Sequence, residues 1–227
     1  MKKVEINKLY LKAVGCILLS LVISQSLFAH ASIIDLEKMS KTDAAFLYIK
    51  LGYQHILPLG LDHILFVVSL FLLNPKLKSI LWQATAFTVA HTVTLGLSMY
   101  NVIKPPANIV EPLIALSIMY VALENIFSPK LKATRIGVVF LFGLIHGMGF
   151  ASALGELGLP QNSYLTSLLM FNLGVELGQI TVIVAAWFLL AKWFGNKPYY
   201  RKVIVIPLSI LISMVAVYWV VERVFFL

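Results

Sequence analysis

The sequence predicts an all-α polytopic membrane protein, a helical bundle of about six transmembrane helices behind an N-terminal signal peptide. Three observations predict it. The chain is 60 % hydrophobic and only 12 % charged, where a water-soluble domain carries roughly 25 % charged residues. Its apolar residues fall in long runs of about 20, the length that crosses a bilayer as a helix. Its basic residues gather in short loops at alternate gaps between those runs, as membrane topology requires. Those loops account for the net charge of +8, so the bilayer, not nucleic acid, is the partner that the charge implies.

The first segment reads as a targeting sequence. Lys2, Lys3, Lys8 and Lys12 form a basic front, Ala13 to Phe28 an apolar core, and Ala29-His30-Ala31 an A-x-A cleavage signal. Cleavage after Ala31 starts the mature chain at Ser32; cleavage after Ala29 leaves His30 at the front, and both stay open. Cys16, the only cysteine, lies at the front of the apolar core, not after it, and so does not fit a lipid-attachment site. The mature chain then has no disulfide or thiolate metal site. Residues 32–52 form a short exported segment, with Ala44–Tyr53 expected along the outer surface, and 53–227 the transmembrane domain.

The six spans are expected at Tyr53–Leu73, Ser79–Met99, Ile109–Phe127, Ile136–Leu157, Tyr164–Trp193 and Val203–Val221. The fifth is long enough to be tilted, broken or extended beyond the membrane. Lys76, Lys78, Lys130, Lys132, Arg135, Lys192, Lys197, Arg201 and Lys202 fall on one side. Lys104 and Arg223 fall on the other, with Lys38, Lys41 and Lys50 in the exported segment. The richer side is cytoplasmic by the positive-inside rule. That puts both mature termini outside a bacterial inner membrane, as a cleaved signal also demands.

Polar residues inside these spans are the candidates for function, because an ionisable group at the bilayer centre needs a partner or a purpose. His63, His91 and His146 all come out about 15–18 Å from the cytoplasmic face at 1.5 Å per residue, and Glu176 lies slightly further outward. Thr88, His91 and Thr92 share one helical stripe. Asn172, Glu176 and Gln179 recur at i, i+4, i+7 on another, flanked by Gly174 and Gly178. Gly143 and Gly147 bracket His146 at the spacing that lets helices approach closely. Convergent imidazoles and a carboxylate suit a nickel, cobalt, zinc or copper ion, or a proton relay. The candidate metal residues are His63, His91, His146, Asp62, Glu176 and His55, supported by Asn172, Gln179 and Thr88.

Each has a plainer reading. A single intramembrane histidine commonly just hydrogen-bonds a neighbouring helix, but three at one depth exceed that. Asp62 follows Pro58 and Gly60 and can cap a helix restarting after a break, or orient His63. His55, at the outer mouth, is either a ligand or an interfacial histidine. Glu111, three residues past Asn108, is expected to complete a capping box. Glu124 is expected to pair with the Lys130–Arg135 loop, and Glu156 to be solvated.

The runs HILPLGLDHILFV, AFTVAHTVTLGLS, VEPLIALSIMYVALEN, FGLIHGMGFASAL and FNLGVELGQ, in this order, resemble the HupE/UreJ family of membrane proteins. The resemblance covers His55 to Gln179. It implies a link to hydrogenase or urease maturation and a permease for nickel or cobalt, with His55, Asp62, His63, His91, His146 and Glu176 at motif positions. The chain departs from the nickel-permease pattern. Six residues separate His55 from the Asp62-His63 pair, and FGLIHGMGFA keeps one histidine where that group has two and a glutamate. The cargo is therefore less constrained than the fold.

The leading expectation is a secondary permease for a divalent transition metal, since no GxxxxGK[ST] nucleotide motif occurs. The alternative is an intramembrane zinc metalloenzyme using the same three histidines, with Asp62 or Glu176 as general base. A homo-oligomer, or a partner in metalloenzyme maturation, stays open.

Overall fold

The computed structural model describes residues 40–151 and 164–226. The expected signal peptide, and the end of the expected fourth span with Glu156, lie outside them. The described residues form helices and connections, without a strand. In chain order the helices are α1 (Lys41–Ile56), α2 (Leu61–Leu73), α3 (Leu77–Met99), α4 (Ala107–Phe127), α5 (Arg135–Gly149), α6 (Tyr164–Phe194) and α7 (Arg201–Phe225).

Among the described residues, α3, α4, α6 and α7 are each long and apolar enough to cross a membrane. The α1–α2 pair passes the same test only jointly, as a span bent by 69°. Helix α5, at 15 residues, is shorter than a full crossing. Helix α6 runs 31 residues and contains a π-helical stretch at Trp187–Ala191. It is about 46 Å long at 1.5 Å per residue, well beyond a hydrocarbon core of about 30 Å.

The first span departs from expectation. Tyr53–Leu73 is not one helix: α1 ends at Ile56 and α2 begins at Leu61. Pro58 has no N–H to continue the ladder, and it disfavours helical geometry at the residue before it. Leu57 accordingly sits at φ −125°, ψ 116°. Ala44–Tyr53, expected along the outer surface, falls within α1. This helix starts at Ser40, whose hydroxyl accepts from the Asp43 amide at 3.1 Å. It buries Ala44, Tyr48, Gly52 and Ile56.

Close helix contacts set the architecture. Gly52 of α1 rests on the Phe171 carbonyl of α6, and Gly174 of α6 on the Ile49 carbonyl of α1. Gly143 and Gly147 of α5 lie against the Phe87 and His91 carbonyls of α3. Such small-residue contacts let helices gain packing where lipid supplies no hydrophobic drive. The exposed residues Leu165, Leu169, Leu173 and Leu177 of α6 recur every fourth position, an apolar stripe suited to lipid.

Polar pairs tie the remaining helices. Arg135, 2 % exposed, meets Glu124 at 2.9 Å and the Asn125 amide oxygen at 3.2 Å, as the loop pairing predicted. Arg201 donates to the Ile126 and Ser128 carbonyls at the end of α4. Those groups have no partner within their own helix.

Candidate metal centre

The break between α1 and α2 brings His55 and His63 face to edge. Their ring centroids are 4.6 Å apart, and the His91 ring of α3 lies 6.0 Å from each. One ring nitrogen of each histidine lies within 4.8 Å of the other two. The Nε2 atoms of His55, His63 and His91 are buried and have no hydrogen-bond partner. A buried polar atom left unpaired costs about 1–3 kcal/mol, and a shared ligand would relieve three such costs in one group of rings. His55 is thus one of the three grouped histidines. Gly60 makes this possible, because a Cβ there would collide with the His55 carbonyl.

Neighbouring hydrogen bonds fix the tautomer of His91. The Asn172 amide nitrogen donates to the Leu168 carbonyl at 2.9 Å. Its oxygen is therefore the atom 3.0 Å from His91 Nδ1, and the imidazole N–H must donate there. The proton on Nδ1 leaves Nε2 with its lone pair free, as a metal ligand needs.

The same logic applies to His146 on α5. Ser117 spends its one hydroxyl proton on the Ile114 carbonyl at 2.7 Å. It therefore accepts from His146 Nε2 at 2.9 Å, and the Nδ1 lone pair is left buried and unpartnered. His146 lies against His63, with centroids 4.9 Å apart, but is not one of the three grouped histidines. Phe66, Phe87, Phe150 and Phe171 pack around these rings, Phe150 at 3.8 Å from His55 and keep the centre apolar.

The donor set fits a borderline divalent ion: neutral imidazole suits zinc, nickel, cobalt and copper.

The carboxylates take other partners. Asp62 is held by Arg223 of α7 at 2.8 Å. Glu111 lies 3.4 Å from the other guanidinium nitrogen, which also donates to the Glu111 carbonyl at 3.1 Å. The capping-box expectation for Glu111 is corrected: α4 starts after Pro106 without a side-chain cap, and Arg223 claims the carboxylate. Glu176 accepts from Thr85 at 2.7 Å and from Thr88, and Thr88 also lies 3.4 Å from the Gln179 amide oxygen. The structure thus brings His55, His63 and His91 together, sets His146 and Asn172 beside them, and places Asp62 and Glu176 in separate polar clusters.

A family model described as HupE / UreJ protein matches residues 29–223, most of the chain. The chain belongs to the HupE/UreJ family. Comparison with curated proteins and with solved structures found no match.

Within this HupE/UreJ chain, two partners were missing from the sequence-based site. Ser117 is a lone hydroxyl in the apolar run EPLIALSIMY, a weak signal that its bond to His146 explains. Arg223 stands close to the C-terminus, and nothing local links it to Asp62.

Proposed function

We propose that this HupE/UreJ protein is a secondary permease for a divalent transition metal, nickel, cobalt or zinc. The ion is the substrate, and His55, His63 and His91 are its principal ligands. The observation that carries the reading is the group of three histidines beside a broken span, each with a buried, unpartnered Nε2. Discontinuous helices that expose ligands at membrane depth are a recurring design of secondary transporters.

The ligand set also favours release. Three neutral imidazoles leave the ion's charge uncompensated in an apolar pocket, so it is held less firmly than by a carboxylate-bearing cage. His146, beside His63 with a free Nδ1, is suited to take the ion next. The basic loops orient the protein in an inner membrane with both mature termini outside, and the ion moves inward.

Elemental mass spectrometry on untagged protein in mild detergent tests this, with His63→Ala and His91→Ala alongside. The expected result is metal that binds on addition, washes out with chelator, and is lost in both variants. One equivalent surviving chelation would instead favour the zinc metalloenzyme. No histidine-dependent metal would overturn both readings.

A further inference from the structure

Glu176 differs from Asp62, Glu111 and Glu124. Those three each meet an arginine. Among the described residues, Glu176 has no ion pair with lysine, arginine or histidine; its partners are the hydroxyls of Thr85 and Thr88. It lies within α6, a helix apolar enough to span the membrane, where an unbalanced charge costs a few kcal/mol or more.

The cluster is also rich in oxygen atoms. Thr88 Oγ1 has three acceptors around it: a Glu176 carboxylate oxygen, the Ala84 carbonyl at 3.1 Å and the Gln179 amide oxygen at 3.4 Å. A hydroxyl carries one proton and can serve only one of them. Glu176 thus keeps a formal charge of −1 with only hydroxyl donors beside it, and the buried Gln179 side chain packs against Thr88.

We propose that Glu176, Thr85, Thr88 and Gln179 form a binding site for one monovalent cation, sodium or a proton, separate from the histidine centre. Carboxylate, amide and hydroxyl oxygens suit a hard cation, whereas the imidazoles suit a borderline divalent one. The single carboxylate charge matches one monovalent ion and leaves the pair neutral.

The site lies next to the first along the α3–α6 seam. Asn172, bonded to His91, and Glu176 are one turn apart on α6, about 5.4 Å; His91 and Thr88 are one turn apart on α3. From α1, Tyr53 reaches α6 at Thr181. Two cations this close in an apolar medium oppose each other, so a metal arriving at the histidines favours departure of the monovalent ion. This coupling role rests on the permease reading; the cation site itself does not.

The test is dicyclohexylcarbodiimide labelling of the full chain in detergent, free of divalent metal and read by intact mass and peptide mapping. This reagent adds to protonated carboxyls in apolar surroundings. The expected result is labelling of Glu176 in sodium-free buffer that is lost in Glu176→Gln and kept in Glu176→Asp. Suppression of about tenfold or more by sodium at ten times its dissociation constant, but not by choline, identifies sodium. Labelling that ignores sodium and fades as pH rises identifies the proton. No labelling of Glu176 at any pH in sodium-free buffer overturns the proposal. So does loss of nickel binding in Glu176→Gln, which would place the carboxylate in the histidine centre. Failure of wild-type protein to bind any divalent ion would sink the permease reading and leave the labelling result standing.

Discussion

Asn172 decides which nitrogen of His91 is available, and its own orientation is set one turn back by the Leu168 carbonyl. Groups that orient a ligating imidazole in this way typically contribute 10–100-fold to metal affinity. Asn172→Leu should therefore weaken metal binding by about 10–100-fold with little loss of thermal stability, measured by competition with a metal indicator. Arg223 has the opposite character. Removing it by Arg223→Met strands two carboxylates that are 22 % and 31 % exposed. The loss should be about 1–3 kcal/mol, below the value for a fully buried pair, and should appear as a lower melting temperature in detergent with metal stoichiometry intact. The histidines and Asn172 were legible in the sequence because polar residues stand out against apolar runs. The partners of Asp62 and Glu176 were not. They depend on which way each helix is rotated, and Arg223 is 161 positions from Asp62.

At the level of elements, the site depends on close approaches between helices. Gly147 rests on the His91 carbonyl, so Gly147→Leu should push α5 from α3 and separate His146 from His63. The expected outcome is a broadened melting transition and reduced metal uptake into proteoliposomes. Gly60→Val should act more selectively, because a Cβ at Gly60 meets the His55 carbonyl. Metal affinity should fall by at least about tenfold while helix content by circular dichroism is retained, as expected when ligand geometry is lost but the fold is not. The sequence displayed the signals of this break, Pro58 and Gly60, but a span drawn by hydropathy alone runs straight through them. Hydropathy reports where a chain prefers lipid, not where its backbone can continue a helix. The fifth span shows the reverse case: its excess length, read directly from the apolar run, is matched by a 31-residue helix.

For the whole molecule, composition together with apolar runs of helical length was enough to predict an all-helical membrane protein, because no other fold satisfies backbone polar groups across such runs without closing a barrel. Orientation is a property of the complete chain, and it is testable with single cysteines in a Cys16→Ser background. Cysteines at Lys78, Lys132 and Lys197 should react with an impermeant maleimide only after the cytoplasmic side is opened, and one at Lys104 should react in intact cells. Reversed accessibility would invert the direction assigned to transport.

The four residues between α1 and α2 have a mechanical consequence. His55 stands on one arm of a joint and His63 on the other, and the first arm is pinned to α6 through Gly52 and Gly174. Any ion held between these two imidazoles bridges the joint like a clasp, so its preferred bond angles become a torque on the two arms. Ions of similar size and charge would then be told apart by how far they bend the protein.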